Sequence, residues 1–137
     1  ANVIDLTNQR DVGVGQYPLR VLVQVTTAFS SSSTSSTLQV QFQGSTASTS
    51  SGYVTLAETP AFTAAQIGLG TTGQRLFDIE VPRTNILLNG LAPRYLRLNY
   101  VVGGVTAGWS AGAVTAAIVL DRQDSTPTYA PGLAIQN

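Results

Sequence analysis

The sequence predicts a single all-β domain, a jelly-roll-like sandwich of about eight antiparallel strands with an extended C-terminal arm. The apolar runs are short and rich in β-branched residues, and Gly, Ser, Thr and Pro separate them. Several runs alternate apolar and polar residues with the two-residue period of a half-buried strand. A length of 137 residues suits one domain, which we place at residues 1–124, followed by the arm at 125–137.

The N-terminal half carries the clearest strand signals. After a short run at residues 2–6, residues 19–29 alternate Leu and Val on one face with more polar side chains on the other. Residues 38–43 then alternate three apolar residues with three glutamines, which indicates one buried and one wet face. The Ser/Thr-rich segment 30–37 predicts a solvated hairpin tip, and the similar segment 45–51 predicts its return loop.

The middle of the chain predicts shorter elements. Residues 53–57 and 75–81 have strand patterns, and the second places Asp and Glu outward. Residues 60–67 begin with a proline and are compatible with a single helical turn. The run 85–88 ends at the dipeptide at 89–90, Asn-Gly, which is a strong signal for a tight turn.

Two further strands are predicted toward the C-terminus. Residues 94–102 alternate so that Leu96, Leu98 and Tyr100 share one face, and we expect these three side chains to be buried. Residues 113–120 form the last predicted strand.

The charge pattern limits the partners of the protein. Charged residues make up 10% of the chain, the net charge is zero, and all seven basic residues are Arg. Average domains contain about 25% charged residues. A nucleic-acid partner is not expected because phosphate binding needs clustered cations, and no run approaches the length of a membrane span. Because charge keeps soluble proteins apart, a surface this poor in charge favours coverage by other protein subunits.

Candidate catalytic chemistry is sparse. The chain has no Cys, His or Met, so we expect no enzymatic activity, no cofactor and no metal site built on Cys or His. Asp78 and Glu80 share one strand face, as a glycosidase pair would, but such neighbours are far more often solvated surface. Asp121 and Asp124 lack the further acids and the glycine of a calcium-binding loop.

Three side chains of the sandwich are candidates for contacts with other subunits. Tyr95 and Arg97 share a strand face, and the alternative is that the Arg stem lies over a ring within one subunit. Trp109 lies in a loop-like Gly-Trp-Ser setting, where it could anchor an interface or stack on a sugar. Its alternative role is to cap the core of the sandwich.

The C-terminal arm is the fourth candidate contact. Pro127 and Pro131 prevent regular strand pairing, and no charged residue follows Asp124. We expect the arm to reach a neighbouring subunit through three apolar anchors. The alternative is that it folds back over an edge strand of its own sandwich. The anchors are Tyr129, Leu133 and Ile135.

Four segments resemble a known family in the same order along the chain. Residues 18–26 (PLRVLVQVT) and 94–100 (RYLRLNY) resemble segments of phage head cement proteins of the Bordetella-phage type. Residues 3–6 (VIDL) and 111–119 match the pattern of that family as well. The resemblance covers about residues 3–120, and the heptapeptide RYLRLNY is its most specific part.

This resemblance implies a jelly-roll subunit on the surface of the virion, assembled in the host cytoplasm. It implies binding outside an icosahedral capsid, where the subunit clamps neighbouring copies of the major capsid protein, with neither enzymatic activity nor a cofactor. Self-association as a dimer or a trimer is compatible with it. The alternative from another class is a carbohydrate-binding jelly-roll module, such as a phage adhesin, with Trp109 and Tyr53 as stacking residues. A small hydrolase is a third and weaker alternative.

Overall fold

The computed structural model describes residues 3–13, 19–49, 51–67, 72–83, 90–104 and 108–120. Within these ranges it confirms an all-β sandwich of eight antiparallel strands in two sheets. The larger sheet has the order β1-β7-β3-β4, with β5 also paired to β3, and the smaller has the order β6-β2-β8. The strands are β1 (Val3–Asp5), β2 (Arg20–Ser31), β3 (Thr37–Ser45), β4 (Val54–Glu58), β5 (Phe62–Thr63), β6 (Arg75–Glu80), β7 (Tyr95–Gly103) and β8 (Trp109–Val119).

Some predicted elements shift and others cannot be compared. The segment 60–67 begins with the short strand β5 and ends in one turn, in which the Ile67 amide donates to the Thr63 carbonyl at 3.1 Å. This i to i−4 hydrogen bond is that of a single helical turn, as predicted, but the strand before it was not predicted. The last strand starts four residues earlier than predicted. The run 85–88 and the arm at 125–137 lie outside the described residues.

The core lies between β2 and β3, as the alternation in both segments predicts. Val21 and Val23 of β2 and Val40 and Phe42 of β3 are at most 2% exposed and share one cluster. A second cluster forms around Val25. Each fully buried aliphatic or aromatic side chain contributes about 1.5–3 kcal/mol. Strict alternation on two facing strands therefore fixes which sheet faces meet.

A bulge places two consecutive residues of β6 in the core. Val23 lies opposite Phe77, but Gln24 lies opposite Arg75, so Leu76 is the extra residue between them. Leu76 and Phe77 are both buried, and they pack into different clusters. A two-residue period cannot predict this, because a bulge inserts one residue and changes which face the chain presents.

The connection between β2 and β3 is not the hairpin that the sequence predicts. The two strands belong to different sheets, so residues 32–36 cross from one sheet to the other. This segment is also less solvated than predicted, since Ser36 is fully buried. Its hydroxyl accepts hydrogen bonds from the Ser31 hydroxyl at 2.9 Å and from the Gly108 amide at 3.3 Å. The true hairpin is the next one, where β3 pairs with β4.

The predicted burial of β7 holds only at its start. Leu96 is 1% exposed and Leu98 is partly buried, but Tyr100 is 40% exposed, so its predicted burial is wrong. The alternation of β7 is as predicted, and all three side chains share one face. The cause is that the two sheets do not close over the second half of β7.

Candidate interaction surfaces

The sandwich is closed on one side and open on the other. On the closed side Leu56 of β4 and Phe77 of β6 pack into the same cluster. On the other side β8 lies opposite β7, and within the described residues no strand of the smaller sheet lies beyond β8 to face β1. The larger sheet therefore extends one strand further than the smaller one at this side.

A cleft of about 710 Å³ occupies the open side. Its walls include Ile4 of β1, Leu98 and Tyr100 of β7, and Val114 and Ile118 of β8. Eight large apolar side chains stand out as exposed among the described residues, and six of them lie on β1, on the second half of β7 or directly after β8. They are Val3, Ile4, Tyr100, Val101, Val102 and Leu120. Ile4, Tyr100 and Val102 lie on the cleft-side face of the larger sheet, whereas Val3 and Val101 lie on its outer face. Exposed apolar side chains that concentrate at one side of a domain are typical of a contact site.

The strand β8 forms one wall of this cleft and is itself an edge strand. None of its eleven residues is buried, and among the described residues β2 is its sole ladder partner. Proteins protect long edge strands with Lys, Pro or other charges that prevent pairing with another chain. The strand β8 (WSAGAVTAAIV) contains none of these. Among the described residues, no strand pairs with the edge of β8 that lies away from β2.

The outer face of the larger sheet carries a network of amide side chains around Arg97. The Arg97 Nε donates to Gln43 Oε1 at 2.8 Å, while Gln43 Nε2 and Asn99 Nδ2 donate to Gln41 Oε1 at 3.1 and 2.9 Å. The Arg97 guanidinium carbon lies 3.8 Å from the ring centroid of Tyr53. These contacts are those of the intrasubunit alternative for Arg97, but the ring belongs to Tyr53 and not to Tyr95. Because Arg97 covers one face of Tyr53, that face is closed to a sugar.

Tyr95 lies beside an ion pair between Asp5, the last residue of β1, and Arg94, which directly precedes β7. Arg94 donates from Nε and Nη2 to the two carboxylate oxygens of Asp5 at 2.9 and 3.0 Å, and its guanidinium lies 5.0 Å from the Tyr95 ring. The hydrogen bonds from Arg94 and from the Thr7 amide lower the pKa of Asp5. The same pair raises the pKa of Arg94. Tyr95 thus lies beside a charged, exposed ion pair.

Trp109 is the first residue of β8, in contrast to the loop-like setting that the sequence indicates. Its ring packs edge-to-face on Phe29 with the centroids 5.3 Å apart, and its indole N–H donates to the Thr37 carbonyl at 3.4 Å. The side chain is partly buried against the second core cluster. These contacts match the core-capping alternative, and the interface role of Trp109 remains a prediction.

The two candidate catalytic carboxylates bind arginines. Arg20 Nη2 lies 3.0 Å from Asp78 Oδ1, Arg20 Nη1 lies 3.5 Å from Glu80 Oε1, and Arg75 Nη1 lies 3.8 Å from Asp78 Oδ2. Within the described ranges no three His, Cys, Asp or Glu residues group as a metal site would need. No helix among these residues could span a membrane either. Asp121 and Asp124 fall outside the described part of the chain.

The arm anchors Tyr129, Leu133 and Ile135 also lie outside the described residues, so their role remains a prediction. The open cleft is the feature that sequence reasoning missed. A signal for it exists at residues 110–117 (SAGAVTAA), where small residues replace the strong alternation of the core strands. Such a segment cannot fill a core with its own side chains, which is consistent with an edge strand.

Comparison with known proteins places the described sandwich within one family model. The model described as Bbp16 matches residues 1–118. The matched region includes all of β8 except its last residue, and it includes all the cleft residues named above. The arm lies outside the matched region. A search of curated proteins finds no match.

Proposed function

The chain belongs to the Bbp16 family, a Bordetella phage protein family, and from that premise we propose that it is a cement protein of an icosahedral phage head. It binds the outside of the capsid and clamps neighbouring copies of the major capsid protein. The observation that carries this proposal is the open side of the sandwich, where an uncharged edge strand borders an apolar cleft. Surfaces of that kind favour burial against other protein chains.

The proposal includes self-association as a dimer or a trimer on the virion surface, after assembly in the host cytoplasm. Low charge supports it, because a chain with only 10% charged residues and no net charge gives little repulsion between copies. We do not propose enzymatic activity, since Asp78 and Glu80 are held by Arg20. We also do not propose sugar binding, because Trp109 packs on Phe29 and Arg97 covers one face of Tyr53.

Thermal melting of purified particles with and without this chain tests the function. A protein that binds the assembled shell and not its separated subunits stabilises the shell by mass action. Particles that lack the chain should therefore form but release their contents at a lower temperature, and adding the purified protein back should restore the melting temperature.

Mass spectrometry of the same particles provides the control. We expect a fixed ratio of this chain to the major capsid protein across preparations. Particles that melt identically with and without the chain, or a chain that is absent from washed particles, would contradict the cement role. A glycan array run in parallel would show whether the carbohydrate-binding alternative needs to be reconsidered.

A further inference from the structure

Arg97 of β7 differs from the other arginines of the sandwich. Three of the described arginines form ion pairs with Asp or Glu side chains, whereas Arg10, Arg83 and Arg97 form none among the described residues. Arg10 and Arg83 are exposed, and within the same ranges their side chains make no hydrogen bond or ring contact. Arg97 is half-buried and is held by two side chains. It therefore combines a fixed position with the lack of an acid partner.

The two contacts of Arg97 leave the end of its guanidinium available. Nε donates to Gln43 Oε1 at 2.8 Å, and the guanidinium carbon lies 3.8 Å from the ring centroid of Tyr53. In the described part of the chain, Nη1 and Nη2 have no hydrogen-bond partner. These two nitrogens form a planar fork whose spacing matches the two oxygens of a carboxylate. The geometry is therefore suited to end-on binding of a carboxylate.

A chain of amides holds Gln43 in the orientation that Arg97 needs. Gln43 Nε2 donates to Gln41 Oε1 at 3.1 Å, and Gln41 Nε2 donates to Glu58 Oε2 at 3.0 Å. Both amides thus turn their oxygens toward Arg97 and their nitrogens toward Glu58, and hydrogen bonds aligned in this way strengthen one another. Because two amides separate the two charges, Glu58 stabilises the network without binding the guanidinium itself.

The surface around Arg97 is uncharged and partly apolar. Val3 of β1 lies opposite Arg97, and Asn99 and Val101 follow on the same outer face of β7. Val3 and Val101 are both exposed. Binding hot spots often combine an arginine with aromatic and apolar neighbours that exclude water when the partner docks. Tyr53 and the two valines are neighbours of that kind.

A protein that covers this face must bring a carboxylate to Arg97. Burial of a cation without an anion is strongly unfavourable, whereas end-on pairing with a carboxylate gives two charge-assisted hydrogen bonds. The acids in the described part of this chain already have partners, which favours an acid on a different protein over an acid on a second copy. Those acids are Asp5, Asp11, Glu58, Asp78 and Glu80.

We propose that Arg97 binds an Asp or Glu side chain of the major capsid protein, and that the outer face of the larger sheet around Arg97 docks on the shell. This inference rests on the cement role in the proposed function and names the chemistry of the contact. The cleft lies on the opposite face of β7, where Leu98 and Tyr100 line it. A contact of the outer face with the shell therefore leaves the cleft available for another copy.

Binding of the full-length protein to purified particles that lack it tests the site. In a cosedimentation titration, Arg97→Gln should weaken binding by at least about 30-fold, as truncation of an interface hot spot does. Arg97→Lys should restore little of this loss, because an ammonium group lacks the planar fork. Arg83→Gln is the matched control, since it removes the same charge from an exposed arginine, and it should weaken binding by less than about 5-fold. Circular dichroism of all three variants checks that the fold is retained.

A second measurement tests that the partner group is a carboxylate. The carboxylates of the particles are converted to neutral amides with a carbodiimide and glycinamide. Wild type and Arg97→Gln should then bind the treated particles with affinities that agree within about 3-fold, because effects on two groups in contact are not additive. Wild type and Arg83→Gln should differ by the same factor on treated and untreated particles.

The outcomes separate this inference from the proposed function. Failure of the wild-type protein to bind untreated particles would overturn both. Equal binding of wild type and Arg97→Gln, wild-type affinity of Arg97→Lys, or an Arg97→Gln defect that persists on treated particles would overturn this inference and leave the cement role intact. Loss of self-association in Arg97→Gln with unchanged particle binding would place the carboxylate on a second copy, and would overturn its assignment to the capsid.

Discussion

The strands β3 and β8 are similar in length and both lack charged residues, yet they differ completely in burial. Six of the nine residues of β3 are buried, and none of the eleven residues of β8 is. In the part of the chain that the structure describes, β3 has ladder partners on both edges, whereas β8 has one partner and borders an open cleft. The difference shows that neighbours determine burial, and that an uncharged strand with few neighbours is suited to join another chain.

The largest expected difference is between two alanine substitutions, one on the buried strand β3 and one on the exposed strand β8. Phe42→Ala on β3 should cost about 3–5 kcal/mol of unfolding free energy, because Phe42 is 2% exposed and its loss leaves a cavity. Val114→Ala on β8 should cost less than about 1.5 kcal/mol in the monomer, since Val114 is only partly buried. Urea denaturation at low protein concentration measures both. Equal costs would mean that the open side is packed as tightly as the core.

Gly112 sharpens the comparison, because it is a position of the exposed strand β8 at which a larger side chain does not fit. Gly112 has a φ of 142°, and a Cβ there would overlap the Phe29 ring. Gly112→Ala should therefore cost about 1–3 kcal/mol through overpacking and backbone strain. Gly90→Ala is the matched control, because Gly90 has a φ of 82° with no atom within 4 Å of the added Cβ. It should cost only the strain of that backbone conformation, about 1 kcal/mol. A smaller loss at Gly112 than at Gly90 would refute the proposed packing against Phe29.

The smallest expected effect is a shift in the pKa of Tyr100, which lines the cleft. Partial burial raises the pKa of Tyr100 above its ordinary value. A pKa that is higher in the folded state contributes stability below the unfolded pKa, and this contribution is lost as the pH rises through the folded pKa. Coverage of the cleft by a second copy should bury Tyr100 further, so its pKa should rise with protein concentration. Absorbance titration of the phenolate, with Tyr100→Phe as reference, measures this rise, and a concentration-independent pKa would count against coverage of the cleft.

The parts of the fold that were predictable are those with strict alternation. Residues 19–29 and 38–43 gave the correct core faces, because a two-residue period with Val, Leu or Phe leaves one register. The crossing at residues 32–36 was not predictable, since a serine-rich loop is equally compatible with a hairpin and with a change of sheet. The exposure of Tyr100 was also not predictable, because the alternation within β7 does not indicate which strand of the other sheet lies opposite this residue.

The candidate site was predictable only in part, and for the same reason. The positions of Tyr95 and Arg97 on one strand face followed from alternation, but the contact between Arg97 and Tyr53 joins residues distant in sequence. The cleft depends on which of the described strands flank β8, and a local sequence pattern does not predict the neighbours of a strand. The low charge of the chain was the one global signal that pointed toward contacts with other subunits.

The separation of β2 from β3 into different sheets has a consequence for the order of folding. The strand β2 cannot use its sequence neighbour as a ladder partner, and Arg20 pairs instead with Glu80 and with Val119. The smaller sheet therefore needs the closure of two long loops, and such high contact order is associated with slow folding. During synthesis, β2 must remain without its second partner until β8 has been made, so the strand that leaves the sandwich open is also the one that completes its smaller sheet.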